Sequence, residues 1–337
     1  MVTELTCAAD VSAARDFIQR NGLTFENGFD NLAGVFENGK LVAVGARAGN
    51  ILKMLAIEPS HQSGALLGEI VTDLVNRGFS AGFESLFVYT KPEYATSFEA
   101  LNFSLLVCHE RVALLEYGTG LEQWLASAHH LIRPGANGAV VMNCNPFTLG
   151  HRHLIETAAH RVDHLYIFVV REDRSVFPFE VRIRLVQEGV RDVPNVTVLD
   201  TSHYSISNVT FPAYFFKERD PVALIQMELD LALFAARIAP PFGISTRFAG
   251  TEPYCEITAG YNEAMKRVLP NYWIEVVEIE RKHTDQGAIS ASQVRAKLAD
   301  EDWTGVAELV PESTLAWLRS AEAASIRERV HQNKGRH

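Results

Sequence analysis

The 337-residue sequence has few cysteines and no long apolar run, and each shortage excludes a class of protein. Its four cysteines, Cys7, Cys108, Cys144 and Cys255, lie far apart without a C-x-x-C pair, so neither a disulfide framework nor a cysteine zinc site is expected. The longest apolar stretches, such as LYIFVV, are far shorter than the roughly 20 residues needed to cross a bilayer. The first residues lack the basic segment of a signal peptide. We therefore expect a soluble protein in the cytoplasm.

Positive charge is also in short supply. Lysine and arginine number 31 against 41 acidic residues, which gives a net charge of −10. A protein that coats nucleic acid is more often basic, so an anionic ligand must here meet a local group of cations. Apolar residues make up 47% of the chain. This fraction, at this length, predicts two globular domains with sizeable cores.

Residues 1–117 show the mixed spacing of an α+β domain. Asn38-Gly39 between two apolar stretches is typical of a hairpin turn, which predicts strands at 32–37 and 40–46. The spacing of apolar residues then predicts further elements. Strands are expected at 51–57, 85–90 and 104–116, and helices at 63–76 and 95–101.

Residues 118–137 are expected to be a linker, because a short helical pattern is followed by the helix breakers around Pro134-Gly135. From 138 to 337 the pattern changes to β-α-β, with continuous apolar strands typical of a parallel sheet covered on both faces. Strands are expected at 139–143, 165–170, 196–200, 246–250 and 273–279, and helices at 152–161 and 180–190. A doubly wound, Rossmann-like α/β domain is therefore predicted, with ligands at the carboxyl ends of its strands.

The stretch with the clearest chemistry is VVMNCNPFTLGHRHLIETAA at 140–159, where a buried strand runs into a helix. Thr148 to His151 open that helix, and its free N–H groups and dipole favour bound phosphate. Gly150 permits close backbone approach, and His151 can donate a hydrogen bond to phosphate oxygens. On spacing alone, an equally good interpretation is that Thr148 caps the helix and His151 is an ordinary histidine of its first turn.

The Thr148-x-Gly150-His151 pattern resembles the (H/T)-x-G-H motif of the nucleotidyltransferase superfamily, whose members attack the α-phosphate of a nucleotide and expel pyrophosphate. The partner motif of that superfamily, I-S-x-(S/T)-x-(V/I)-R, is matched by ISASQVR at 289–295. Serine hydroxyls at a helix start and a fixed arginine suit a triphosphate. The two motifs in this order indicate a nucleotidyltransferase-like domain.

Longer stretches resemble the citrate lyase ligase family through nearly all of residues 136–300. They are NPFTLGHRHLIE, EDRSVFPFEVR, SISNVTFPAYFFK, RFAGTEPYCEITAGYN and RKHTDQGAISASQVR. The resemblance implies that acetate and ATP form acetyl-AMP and pyrophosphate, with Mg²⁺ present. The acetyl group then passes to the thiol of a CoA-like prosthetic group on the acyl carrier subunit of citrate lyase.

The same family carries a GNAT-like N-terminal domain, and residues 1–117 resemble one. Gln62 lies in the turn where GNAT proteins hold the pyrophosphate of CoA, but Ala65 and Leu67 stand at two small-residue positions. The leucine is expected to crowd a pyrophosphate. The resemblance therefore implies the GNAT-like fold, and we expect no turnover of acetyl-CoA by this domain.

The residues and the resemblance together give a candidate site. His151 and Arg295 are assigned to catalysis, and no protein ligand is assigned to a metal. The predicted ATP-binding residues are Asn143, Asn145, Thr148, Gly150, Gly250, Thr251, Glu252, Ser290 and Ser292. Gly250 to Glu252 are interpreted either as adenine or ribose contacts or as a plain turn.

Other charged residues leave alternatives open. Arg182 is interpreted as a surface cation rather than a phosphate ligand, and Lys282 could add charge near the triphosphate. Glu228 and Asp230 fit a polar stripe on an amphipathic helix at least as well as magnesium ligands. Two other functions remain as alternatives: a simple adenylyltransferase of the pantetheine-phosphate type, and a GNAT acetyltransferase or acyl-CoA-binding module.

Overall fold

The computed structural model describes residues 1–61, 65–171, 175–207, 209–210, 221–252, 255–285 and 287–332. The chain divides into two compact units, Met1–Trp124 and Leu125–His337. The division falls within the predicted linker, part of which forms helix Gly120–Ala128. In the described residues, no helix combines the length and apolar character needed to span a membrane.

The first unit is built on a seven-stranded mixed sheet in the order β1-β2-β3-β4-β5-β7-β6. Its strands are β1 Val2–Glu4, β2 Asn31–Glu37, β3 Lys40–Ala48, β4 Ile51–Ile57, β5 Leu86–Thr90, β6 Phe103–His109 and β7 Val112–Tyr117. Its helices are α1 Ala8–Arg20, α2 Leu66–Ser80 and α3 Ala95–Glu99, followed by α4 Gly120–Ala128, which spans the division. Neighbouring strands are antiparallel except β4 and β5, whose parallel pairing covers two residue pairs.

Two cores, one on each face of the sheet, hold this unit together. One contains Ile70 and Leu74 of α2, and the other contains Phe17 and Ile18 of α1. The alternation of β-strand side chains supplies both cores. This α+β architecture confirms the predicted fold class of the N-terminal region. Leu67 packs partly against the core on the α2 side, whereas Gln62 lies outside the described residues.

The predicted hairpin is confirmed, with Asn38 at φ 51° and Gly39 at φ 76° between β2 and β3. Positive φ at both residues is the requirement of a type I′ turn, which explains the Asn-Gly pair. The prediction of a single strand at 104–116 is wrong, because β6 and β7 form a second hairpin there. Its turn includes Glu110 at φ 47°, an unusual conformation for a residue with a side chain.

The second unit contains a five-stranded parallel sheet in the order β10-β9-β8-β11-β12, which confirms the doubly wound prediction. Its strands are β8 Asn137–Met142, β9 His164–Val169, β10 Val196–Asp200, β11 Ile244–Gly250 and β12 Glu275–Ile279, and a small hairpin pairs β13 His283–Thr284 with β14 Gly287–Ala288. Its helices are α5 Leu149–Ala159, α6 Phe179–Gly189, α7 Pro221–Leu233, α8 Glu256–Val268, α9 Ala291–Ala299, α10 Trp303–Leu309, α11 Glu312–Arg319 and α12 Ala324–Gln332. The FPAYFFK stretch at 211–217 lies outside the described residues.

The strand order places a crevice between β8 and β11. The chain builds the sheet outward from β8 through β9 and β10, then crosses to β11 and β12 on the other side. Ligands of doubly wound sheets bind at the carboxyl ends of the strands beside such a switch in direction. On one face, Val140 and Phe248 pack with Leu185 of α6 and Val294 of α9.

Candidate active site

A cavity of about 1310 Å³ opens at the carboxyl ends of β8 and β11. Ten of the eleven predicted site residues line it; Thr251 is not among the lining residues. The ten are Asn143, Asn145, Thr148, Gly150, His151, Gly250, Glu252, Ser290, Ser292 and Arg295. All belong to the second unit, so this unit brings both sequence motifs to one cavity.

Helix α5 begins with a reciprocal cap between Thr148 and His151. The Thr148 hydroxyl accepts a hydrogen bond from the His151 N–H at 3.2 Å, and the Thr148 N–H donates to Nδ1 of His151 at 3.1 Å. Because Nδ1 accepts a hydrogen bond from the backbone N–H of Thr148, the proton of the neutral imidazole lies on Nε2. The cap interpretation is therefore right for Nδ1, and it leaves Nε2–H as a donor for a ligand.

The environment of His151 keeps the ring neutral. The ring is half-buried and stacks on Phe147 at a centroid distance of 5.9 Å. Burial, together with the nearby positive charge of Arg281, lowers the pKa of His151 from its ordinary 6.5 to about 4. At neutral pH the residue is a hydrogen-bond donor through Nε2 without being a cation.

Gly150 is required by protein packing at the junction of the two motifs. A Cβ atom at this position would lie 3.0 Å from the carbonyl oxygen of Ile289, closer than nine in ten real contacts of this kind. The sequence predicts close backbone approach at Gly150, and the structure shows the backbone of the second motif making that approach. A side chain here would push α5 away from Ser290, which begins α9.

The second motif repeats the same capping device and ties α9 to the first motif. Ser290 accepts a hydrogen bond from the N–H of Gln293 at 3.2 Å, and the Gln293 side chain accepts one from the N–H of Ser290 at 3.0 Å. Arg295 donates to the carbonyl of Asn145 at 2.5 Å and to the Ser292 hydroxyl at 3.0 Å. Two capped helix N-termini therefore open into one cavity, and their N–H groups and dipoles favour an anion there.

The loop after β8 is shaped by a buried arginine, and the surface interpretation of Arg182 is wrong. This side chain is fully buried and donates to the carbonyls of Phe177 at 2.9 Å and Val170 at 2.7 Å, and to the carbonyl and side-chain oxygens of Asn143 at 2.9 Å each. Asn145 accepts from the N–H of Phe177 at 3.0 Å. Arg182 thus donates hydrogen bonds to carbonyl groups at the ends of β8 and β9, beyond the last strand-to-strand hydrogen bonds. The side chains of Asn143 and Asn145 are themselves hydrogen-bonded to protein groups.

Glu252 forms an ion pair with Arg281, also accepts from the N–H of Cys255 at 3.1 Å, and is nearly buried. Arg281 in turn donates to the carbonyl of Thr251 at 2.6 Å. These contacts hold Glu252 at the carboxyl end of β11, and the adenine or ribose contacts of Gly250 to Glu252 stay a prediction. Arg281 lines the cavity, whereas Lys282 is exposed and is not among the lining residues. Sequence reasoning missed Arg281, although its place in a run of basic residues after β12 was visible.

The opposite wall of the cavity carries a second group of polar residues. Arg247 and Tyr261 line the cavity, and Asp230 is fully buried behind them. The Asp230 carboxylate accepts from the Tyr261 hydroxyl at 2.5 Å and from the N–H of Ile206 at 2.6 Å. Burial raises the pKa of Asp230 and lowers the pKa of Arg247.

Glu228 and Asp230, interpreted from the sequence as a polar stripe or as magnesium ligands, are both buried in the structure. Glu228 is buried and forms an ion pair with Arg267 of α8, and Asp230 has no exposed surface. The cause is that α7 is covered by neighbouring elements over most of its surface, so its acidic residues need partners in the protein. Neither acidic residue is among those that line the cavity.

Comparison with known proteins adds the last observation. Residues 137–318 match the family model described as the citrate lyase ligase C-terminal domain. The citrate (pro-3S)-lyase ligase of Escherichia coli (strain K12) is 40% identical over 317 residues, which cover 90% of this chain and 89% of that protein. The chain belongs to the citrate lyase ligase family. Its membership confirms the resemblance stated from the sequence and the prediction that this family member is an enzyme of the ligase class.

Two more distant similarities each cover about a third of this citrate lyase ligase family member. The phosphopantetheine adenylyltransferase of Streptococcus equi subsp. equi (strain 4047) is 28% identical over 111 residues, 32% of this chain and 67% of that protein. A crystal structure of a putative GNAT-family acetyltransferase from Desulfovibrio desulfuricans aligns with 34% of this chain and 96% of that chain, at 15% identity and a TM-score of 0.29.

Proposed function

We propose that this protein activates acetate with ATP and transfers the acetyl group to a thiol of the citrate lyase acyl carrier. An acetate oxygen attacks the α-phosphorus, the bond from that phosphorus to the pyrophosphate oxygen breaks, and acetyl-AMP forms. The thiol of the CoA-like prosthetic group then loses its proton to water, its sulfur attacks the acetyl carbonyl carbon, and AMP leaves with the electrons of the broken C–O bond. The observation that carries this proposal is the meeting of two capped helix N-termini at one cavity, with family membership supporting the substrates.

The residues of the two motifs have complementary roles in the first step. We assign the Nε2–H of His151 and the guanidinium of Arg295 to the charge that builds up on phosphate oxygens as the bond to pyrophosphate breaks. The hydroxyls of Ser290 and Ser292 and the N–H groups beside Gly150 hold phosphate oxygens. Little covalent chemistry falls to the protein, so its contribution is positioning and charge stabilisation.

ATP enters this scheme as its magnesium complex. Glu252, the carboxylate at the carboxyl end of β11, is engaged by Arg281 and by the N–H of Cys255. Magnesium retains water readily and is often held by substrate phosphates with few protein ligands. The donor set at this site therefore fits an ion held by triphosphate oxygens and water.

The N-terminal unit is proposed to orient the carrier. We assign residues 1–117 to binding of the prosthetic group and residues 138–337 to adenylation, with residues 118–137 joining them. Support comes from the location of both phosphate motifs, which lie in the second unit alone. The cytoplasmic location stays a prediction from the sequence.

The experiment that tests the proposal is exchange of labelled pyrophosphate into ATP, with magnesium and with or without acetate. Reversible formation of acetyl-AMP predicts exchange that requires acetate. Acetamide, which has the shape of acetate without its charge, is the matched control and should not support exchange. Exchange that requires added phosphopantetheine in place of acetate, as the acceptor of the adenylyl group, would overturn the ligase proposal and favour the simple adenylyltransferase, which the similarity to phosphopantetheine adenylyltransferase supports as the second candidate.

A further inference from the structure

A buried arginine with an unsatisfied donor lies on the wall of the cavity opposite the two motif helices. Arg247 is 2% exposed, and within the described residues its Nη1 has no hydrogen-bond partner. Its neighbours are the ring of Phe234, whose centroid lies 4.5 Å from the guanidinium carbon, and the charge of Asp230. A buried guanidinium N–H donor without a partner is costly, and such groups are rare unless a ligand completes them.

Asp230 balances charge near Arg247, but its oxygens are engaged elsewhere. One oxygen accepts from the N–H of Ile206 at 2.6 Å, and the other accepts from the Tyr261 hydroxyl at 2.5 Å and from the Ser205 hydroxyl at 3.4 Å. These donors fix the carboxylate from two separate segments of the chain, the loop at 205–206 and helix α8. Arg247 therefore keeps Nη1 for a group that enters through the cavity it lines.

The strand pattern places Arg247 on the other side of the sheet from the phosphate motifs. Phe248 belongs to the core that contains residues of α5 and α9, so its neighbour Arg247 points to the face of α7 and α8, where Asp230 and Tyr261 lie. Both faces contribute to the same cavity at the ends of β8 and β11. In a displacement at phosphorus the attacking and leaving oxygens lie roughly in line, on opposite sides of the phosphorus.

We propose that Arg247 binds the carboxylate of the acid that attacks ATP. This inference rests on the proposed function and assigns a residue to its acid substrate. One carboxylate oxygen accepts from Nη1 in a charge-assisted hydrogen bond, and the other oxygen forms the new bond to phosphorus. Ile206, Ile257 and Met265 line the same cavity and give an apolar surface to a short alkyl chain. The class of ligand is thus a small aliphatic monocarboxylate.

The test measures the KM for acetate and the KM for ATP in the pyrophosphate exchange assay with the full chain. Arg247→Met combined with Asp230→Asn removes both buried charges together, since loss of one alone leaves an uncompensated charge. Asp230→Asn alone is the matched control. The double variant should raise the KM for acetate about 10- to 100-fold, the cost of one charged hydrogen bond, with less than about a threefold change for ATP. The control should lower the KM for acetate, because the guanidinium charge of Arg247 then stays uncompensated until the carboxylate of the acid binds.

Two outcomes would overturn the inference while leaving the proposed function intact. One is a folded double variant with the acetate KM of the control. The other is a rise in the KM for ATP as large as that for acetate, which would assign Arg247 to the nucleotide. A further measurement on the unaltered protein needs no variant to fold: acetamide should inhibit exchange with an inhibition constant at least about tenfold above the KM for acetate. An equal value would refute recognition of the carboxylate charge. If the unaltered protein shows no acid-dependent exchange, the proposed function itself fails.

Discussion

Replacement of His151 distinguishes two roles of its imidazole ring: Nδ1 caps helix α5, and Nε2–H is assigned to the phosphate. His151→Ala removes the acceptor of the Thr148 N–H, found at 3.1 Å, and the contact with Phe147. Losing one hydrogen bond of this kind costs about 0.5–1.5 kcal/mol. A domain of roughly 200 residues loses about 2–4 °C of melting temperature for each kcal/mol, so the alanine variant should melt about 1–6 °C below the unaltered protein.

The effect on the reaction should be much larger than the effect on folding. Loss of one donor to developing charge reduces turnover about 10²- to 10³-fold. The KM for ATP should change little, since the contact strengthens only as charge develops in the transition state. Acetate-dependent pyrophosphate exchange measures both quantities.

His151→Asn is the matched control for this prediction. The side-chain oxygen of asparagine can replace Nδ1 as the acceptor for the Thr148 N–H, but the shorter side chain cannot place a donor where Nε2 lies. This variant should therefore melt within about 2 °C of the unaltered protein and show the same loss of turnover as the alanine variant. A stable asparagine variant with undiminished turnover would refute the assignment of Nε2 to catalysis.

Two other predictions concern pH and the N-terminal unit. Because the pKa of His151 is lowered to about 4, its stabilising contribution is complete above pH 6.5 and is lost as pH falls through 4. Urea unfolding at pH 7 and pH 4 should show that the unaltered protein loses up to about 3 kcal/mol more than His151→Asn, and an equal loss in both would contradict the lowered pKa. Deletion of residues 1–118, which leaves α4 intact, should spare pyrophosphate exchange but slow thioester formation on the carrier at least about tenfold through loss of a second binding unit. Equal carrier loading by the stable truncated protein and the full chain would show that the N-terminal unit has no such role.

The elements that the sequence predicts well are those whose signals are local. The Asn38-Gly39 turn requires two residues with positive φ, and few other pairs satisfy that requirement. The same holds for the starts of α5 and α9, since a cap is a contact between residues three apart. The sequence also indicated that the first motif directly follows a parallel strand, at the edge where a doubly wound sheet binds its ligands.

Long-range packing decided the features that the sequence could not predict. The sequence around Arg182 favours a surface cation, but in the structure its guanidinium is buried and donates to carbonyl groups at the ends of two strands. The choice of Arg281 over Lys282 depends on which way the chain turns after β12, and no local pattern carries that information. Arg247 is a further example, because the charged and polar residues near it, Asp230 on α7 and Tyr261 on α8, are not its neighbours in the sequence.

The order of the strands has a consequence for the protein while it is being synthesised. Strand β8 is central in the folded sheet, yet β11 leaves the ribosome about a hundred residues later. At 5–20 residues per second, one edge of this apolar strand stays open for about 5–20 s even after β9 and β10 have paired on the other side. An open edge on an apolar strand invites pairing with another nascent chain. The yield of native enzyme in a cell should therefore depend on translation speed between β10 and β11 and on the supply of chaperones that shield this edge.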